Sequence, residues 1–383
     1  MRHPVLAAAL IALAALPAMA QHQYKWPAVK NEPARKPFYL PYVQAGTPTS
    51  MTVIWRGPKP ATPSIVLKTA DNQPLQTVNG PAGTEHLFRL TNLTPGTSYR
   101  YAAMEDGKVI GEGEFKTNLG PNGKQFRFAV MGDSGSGNAN QLSVAKRLEK
   151  WGPDFVLHMG DVIYEKGDFE GYGPRYMEPY HTLVANTVVY PTPGNHDYGR
   201  GNADGYFRFF EMPRAKPTDT EQWYTFTYGQ AQFFSLDTNT KFDKGSPQYQ
   251  WLERELKASK SPWKFAFTHY PPYTSGEHGS SLYVRRAWGP LFERHNVQVV
   301  FTGHDHHYER SLPREDFVKD GSPTTYIVSG GAGAWMRGVK KEPFSAFTQA
   351  AYHFIGITMN DRELNAEAID RGGVVIDKFK VIR

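Results

Sequence analysis

Short apolar runs that end in a glycine or a histidine recur through the last two thirds of the chain. Phe126 to Met131 runs into Gly132-Asp133-Ser134-Gly135, and Phe155-Val156-Leu157 leads into Gly160-Asp161-Val162-Ile163-Tyr164. Thr187 to Tyr190 feeds Gly194-Asn195-His196-Asp197. Phe265-Ala266-Phe267 ends in Thr268-His269-Tyr270, and Val297 to Phe301 in Gly303-His304-Asp305-His306-His307. Their length and bounding turn residues predict buried strands. Between the first two, Leu142, Val144, Leu148 and Trp151 mark an amphipathic helix from Asn140 to Trp151. A strand, helix, strand order with short joints is a βαβ unit with a parallel sheet. Trp223–Tyr228 and Ala231–Leu236 flank Gly229-Gln230 as a hairpin. Ser246-Pro247 supplies an N-cap and a first-turn proline to a helix ending near Ala258. Thr325 to Ser329 is a further strand whose glycine-rich end, 330–333, reads as a turn near the site. The tail from Tyr352 to Val381 alternates as strands do.

The preceding third has a different texture. Met51 to Trp55, Phe88 to Leu90 and Tyr99 to Ala103 are strand-like, separated by turn signals at Asp71-Asn72, Asn79-Gly80, Pro95-Gly96 and Asp106-Gly107. This spacing predicts an all-β sandwich over 36–118. Trp55, Tyr99 and Tyr101 resemble the core aromatics of a fibronectin type III-like domain. Asn118 to Lys124 reads as a linker, and 125–383 as the second domain. Residues 21–35, polar with Pro27 and Pro33, form a leader. Before it, Arg2 and His3 precede the apolar run Val5–Leu16 and Pro17-Ala18-Met19-Ala20, the pattern of a signal peptide over 1–20 cleaved after Ala20. The run is short for a membrane anchor, so the mature chain is expected in a periplasm or outside the cell, without a membrane attachment, and in a bacterial setting.

Composition narrows the chemistry. The 383 residues are 40% hydrophobic and 21% charged, as in ordinary globular proteins. There is no cysteine, which excludes thiolate metal sites and cysteine nucleophiles. The net charge of +6 is spread without a Lys/Arg block. It favours anionic small molecules weakly and gives no ground for a stable nucleic-acid partner. Oligomeric state is left open.

The five loops carry ligand-type side chains at the carboxyl ends of strands, where open α/β sheets bind ligands. Two coordination sets emerge. Asp133, Asp161, Tyr164 and His306 form one; Asp161, Asn195, His269 and His304 form the other, with Asp161 shared. Hard oxygen donors mixed with imidazole suit iron, zinc or manganese rather than calcium or copper. Two such cations clamp a phosphoryl group and lower the pKa of a bound water to near 7. His196, next to a ligand, is placed to hydrogen-bond phosphate, and His278 to protonate a leaving oxygen. His307 reads as support behind His306, and His158, His181, His295 and His353 as structural.

These motifs resemble those of the binuclear metallophosphoesterases of the calcineurin-like superfamily. Tyr164 narrows the resemblance to purple acid phosphatases, whose pattern is GDxG, GDxxY, GNH[DE], xxxH and GHxH. The resemblance covers about residue 37 to 383. It implies a catalytic fold of two mixed β-sheets flanked by helices, Fe(III) at the tyrosine-containing set, and zinc, iron or manganese at the other. It also implies an exported acid phosphatase hydrolysing phosphate monoesters by attack of metal-held hydroxide, with His196 on the phosphate and His278 near the leaving group. Plant members carry two adjacent histidines where Glu277-His278-Gly279 has one, so the identity of the general acid stays open. A phosphodiesterase or nucleotidase on the same site is the alternative. A different class, an adhesion or carbohydrate-binding protein led by the sandwich, would be marked by a lost ligand, and none is lost.

Overall fold

Seven strands open the computed structural model, which describes residues 39–383 apart from Arg200 and Asp320. The signal peptide and leader expected over 1–35 lie outside the described residues. β1 (Tyr39–Gln44), β2 (Met51–Ala61) and β5 (Gly83–Leu90) make a three-stranded antiparallel sheet in the order β1-β2-β5. β3 (Pro63–Thr69), β4 (Pro74–Asn79), β6 (Ser98–Glu105) and β7 (Lys108–Lys116) make the second, in the order β4-β3-β6-β7. These two sheets are the all-β region expected from the sequence. Trp55 is fully buried and stacks on Phe88 at 5.0 Å. The Tyr99 hydroxyl accepts from the Thr94 N–H at 2.9 Å, tying the corner before β6 to its strand.

The remaining strands are β8 (Phe126–Met131), β9 (Phe155–His158), β10 (Val188–Pro191), β11 (Tyr224–Tyr228), β12 (Ala231–Leu236), β13 (Trp263–Thr268) and β14 (Val299–Thr302). They continue with β15 (Tyr308–Ser311), β16 (Thr325–Ser329), β17 (Ser345–Gln349), β18 (His353–Met359), β19 (Glu363–Asp370) and β20 (Val375–Ile382). One mixed sheet runs β10-β9-β8-β18-β19-β20, with the first three strands parallel. The other runs β11-β12-β13-β14-β16-β15-β17, parallel from β12 to β16. Phenylalanines fill the space between them. Phe128 of the first sheet lies 5.3 Å from Phe233 and 5.8 Å from Phe265 of the second. Helices Ala139–Trp151, Pro247–Ala258 and Leu282–Arg294 accompany these sheets. Among the described residues, no helix is long and apolar enough to cross a membrane.

Sequence patterning missed several of these elements, β3, β4, β7 and helix Leu282–Arg294 among them. β3, β4 and β7 carry Lys, Thr, Gln and Glu on their open faces, and their buried positions are too few to show as a run. Helix Leu282–Arg294 is disguised by Gly289-Pro290, although Ser281 caps it by accepting from the Val284 N–H.

Lys36–Arg383 form one compact unit, and aromatic contacts join the sandwich to the region of the two larger sheets. Tyr42 of β1 stacks on Phe209 at 5.0 Å, and Tyr39 meets Phe169 and Phe209 edge-on at 5.4 Å each. The Arg56 and Arg208 guanidiniums lie 4.6 and 4.0 Å from the Phe169 ring. The Tyr39 and Tyr42 hydroxyls donate to the carbonyls of Phe169 and Phe209. Phe209 is wholly buried, so Phe209→Ala is expected to cost about 3–5 kcal/mol. It should lower the denaturation midpoint of the sandwich and the larger region together, in one transition. A separate early transition of the sandwich, seen by fluorescence or circular dichroism, would contradict a shared core.

Candidate metal centre

Each loop identified in the sequence begins where a parallel strand ends. β8, β9 and β10 deliver Asp133, Asp161 and Asn195; β13 and β14 deliver His269 and His304. Asp133, Asp161 and His304 all sit in the left-handed backbone region, with φ of 58°, 50° and 68°. Asp and His tolerate this region better than branched residues do. The sharp turn swings each side chain over the strand end. Close approach of the loops explains the motif glycines. A Cβ on Gly135 would lie 2.1 Å from the Ile163 Cα, and one on Gly194 would lie 2.2 Å from Asp161 Oδ1.

All seven donor side chains converge. The Tyr164 hydroxyl lies 3.3 Å from Asp133 Oδ1 and 3.2 Å from His306 Nε2, and that nitrogen is 3.5 Å from Asp133 Oδ1. On the other side, His269 Nε2 is 3.0 Å from Asn195 Oδ1 and 3.5 Å from Asp161 Oδ1. Donors about 2.0–2.2 Å from one ion lie roughly 3 Å apart, so these spacings suit coordination. Donor atoms of Asp133, Asp161 and His269 all fall within 4.8 Å of one another. The His304 ring packs 5.0 Å from His269, and its backbone N–H donates to both Asp133 oxygens.

The outer contacts fit the residues to metal. His269 Nδ1 is 2.7 Å from the Met159 carbonyl, and His306 Nδ1 is 2.7 Å from that of Trp335. Each ring thereby keeps a proton on Nδ1 and turns Nε2 toward the centre, where a bound cation would take the place of any second proton. Burial holds the His304 pKa down to about 2, so that imidazole is neutral and able to ligate. Burial raises Asp133, while for Asp161 the charge and hydrogen bond of His269 outweigh burial and hold the carboxyl below its usual range. Burial opposes a charge on His269, yet Asp161 and Asp133 lift its pKa to about 10. So much anionic charge out of water calls for cations. Burial and the Asp161 and Asp133 carboxylates push the Tyr164 phenol well above its ordinary value, so only a strong cation can hold it as phenolate.

His196 and His278 occupy the rim. His196 Nδ1 is 2.8 Å from the Glu165 carbonyl, and Nε2 stands 4.0 Å from Asp161 Oδ2. His278 is exposed and stacks on His304 at 4.2 Å. His307 turns away from His306 to pair with Glu309 at 3.1 Å. His158 and His353 are buried against Ser134 and Ser329. The glycine-rich 330–333 turn closes the floor, with the Ala332 and Ala334 N–H groups donating to the Gly132 and Asp133 carbonyls.

Two contributors escaped sequence reasoning. Buried Asp197 accepts from the N–H groups of Gly194 at 2.9 Å and Val162 at 3.0 Å, fastening one motif to another. Its position three residues past Gly194, in the first turn of the short helix Asn195–Tyr198, was the available signal. Trp335, half-exposed, sets its ring 5.6 Å from Tyr164 and 5.2 Å from His306. It follows the glycine turn, and no local pattern marks it.

Comparison with known proteins places this geometry. Residues 126–308 match the family model described as calcineurin-like phosphoesterase. Over that stretch the chain is similar to a class of metallophosphoesterases, a family of phosphoric-ester hydrolases whose sites hold two metal ions. Mouse acid phosphatase type 7 is 28% identical over 403 residues, covering 88% of this chain and 89% of its own length. An uncharacterised Mycobacterium tuberculosis protein is 28% identical over 307 residues, or 64% of this chain; the match spans 57% of that protein, little more than half its length. The solved purple acid phosphatase PPD1 from yellow lupin seeds superposes with a TM-score of 0.77 at 21% identity, covering 90% of this chain and 74% of that one. In these comparisons the chain is similar to purple acid phosphatases.

Gly135→Ala tests the close loop packing. The Ile163 backbone cannot yield to the added methyl, so a loss of about 2 kcal/mol or more is expected, read as a lower urea midpoint. An unchanged midpoint would contradict the contact.

Proposed function

We propose that this chain is an exported, metal-dependent acid phosphatase that hydrolyses small phosphate monoesters at a binuclear centre. The observation that carries the reading is the convergence of seven donors from five loops, with Nε2 of His269 and His306 freed for metal by carbonyl contacts at Nδ1. Asp133, Asp161, Tyr164 and His306 would hold Fe(III), the cation best matched to a phenolate. Asp161, Asn195, His269 and His304 would hold zinc, iron or manganese. Once bound, the two ions supply charge neutralisation for the phosphoryl group and a water acidic enough to act near neutral pH.

The chain's own side chains do the rest. Asp161 lies between the two donor sets and holds its orientation by accepting from the His196 N–H at 2.8 Å. His196, with Nδ1 anchored on the Glu165 carbonyl, turns Nε2 toward the site and donates it to a phosphate oxygen when the ring is protonated. His278 stands over the His304 face of the site and gives a proton to the departing ester oxygen. The sandwich packs against the region of the two larger sheets through Phe169 and Phe209.

Trp335 favours a second reading on the same site, a nucleotidase or phosphodiesterase. Its ring is 51% exposed beside Tyr164 and His306, a surface on which a base can stack.

Two experiments test the reading. In Tyr164→Phe the ring and its packing remain but the phenolate oxygen is gone. Wild-type protein loaded with iron should be violet to pink through phenolate-to-iron charge transfer, and the variant colourless. A colourless wild type, fully active with zinc or manganese alone, would remove the iron assignment. The second compares monoesters, diesters and nucleotides on protein of measured metal content, with His278→Ala beside wild type. A proton donor is worth about 10²–10⁴-fold, so the variant should lose far more on alkyl phosphates than on activated aryl phosphates. Diesters turned over faster than monoesters would instead favour the second reading.

A further inference from the structure

The loop that carries His278 is held from beneath by a residue of the fifth motif. Residues 274–280 arch over the run His304-Asp305-His306, and Asp305, fully buried, points into the arch. Asp305 Oδ2 accepts from the Thr274 hydroxyl at 2.8 Å, and Oδ1 accepts from the His278 backbone N–H at 3.2 Å. Gly276 crosses so close that a Cβ there would lie 2.6 Å from the Asp305 Cγ. The foot of the arch is closed by the Ser280 hydroxyl, which accepts from the Thr274 N–H at 3.0 Å and donates to its carbonyl at 3.1 Å. A second carboxylate, Glu309, takes the Ser275 N–H at 2.7 Å and the Ser275 hydroxyl at 2.8 Å. Successive residues of one short stretch therefore alternate in duty: His304 and His306 face the metal donors, and Asp305 faces the loop.

We propose that Asp305 is a positioning residue that sets the distance between His278 and the metal centre. The carboxylate does not reach the donor set; it fixes the backbone from which His278 extends. Because the same stretch supplies His304 and His306, His278 and the ligands share one rigid reference, and the proton donor is registered to the phosphoryl site. A free loop would let His278 drift, and a misplacement of about 1 Å costs on the order of 10²-fold. This inference rests on the reading of His278 as the proton donor to the leaving oxygen.

The test is a double-mutant cycle on metal-loaded protein. Wild type, Asp305→Ala, His278→Ala and the double variant are assayed on an alkyl phosphate and on 4-nitrophenyl phosphate, with bound metal measured in each. Asp305→Ala should keep its metal and lose about 10- to 100-fold more kcat on the alkyl ester than on the aryl ester. The double variant should be no slower on the alkyl ester than His278→Ala, because residues acting as a unit are non-additive. Additive losses, equal losses on both esters, or an unchanged Asp305→Ala would overturn the inference. Should Asp305→Ala lose metal or fail to fold, Thr274→Val removes one of the two contacts on Asp305, together with the acceptor of the Gly276 N–H at 3.1 Å. It should show the same ester selectivity at smaller size, and its absence overturns the inference equally. If His278→Ala itself shows no ester selectivity, the proton-donor reading falls, and this inference with it.

Discussion

Three carboxylates, those of Asp133, Asp161 and Asp197, are buried side by side where the parallel strands end. Without compensation this arrangement is unfavourable, because each charge has lost its water and repels the others. Much of the surrounding structure reads as compensation. Backbone N–H groups of His304, His196, Gly194 and Val162 point at these oxygens, and His269 and His306 bring imidazoles against them. Asp197 keeps its pKa raised to about 7 through burial and the charge of Asp161, even with the backbone N–H groups of Gly194, Val162 and Ile163 donating to it. The remaining deficit of positive charge is the physical reason a pair of cations belongs there.

Much of this was legible in the sequence, for a physical reason. A donor site at the mouths of parallel strands favours glycine, then a donor, then a short turn; that grammar repeats four times, and the fifth loop, Thr268-His269, presents its donor without the glycine. The parallel strands that lead into the five loops were visible because they are covered on both faces and their runs are almost wholly apolar. The sandwich edge strands were not, since one face meets water. Nor could sequence show which way His307 turns. Adjacent histidines look equivalent in a string, while the backbone sends one to the metal donors and the next to Glu309.

Asp197 and Trp335 mark a different limit. Asp197 acts by receiving backbone hydrogens from a loop thirty-odd residues away, and Trp335 by lending a carbonyl to His306. Both contributions lie between segments, in the packing of one loop on another, where no periodicity reaches. The sandwich poses the same problem at larger scale. Its share in the phosphoesterase region is two tyrosines and an arginine laid on Phe169 and Phe209, and only the fold brings them together.

The left-handed backbone at Asp133, Asp161 and His304 has an evolutionary corollary. A non-glycine residue in that conformation carries a cost of order 1 kcal/mol or more, and here two of the three also carry buried charge. Glycine at any one of them would relax the backbone while deleting a donor. Activity and ruggedness thus pull in opposite directions at the same positions. A lineage released from selection for catalysis should lose these residues first and become hardier as it does so, a silent scaffold descended from a costly catalyst.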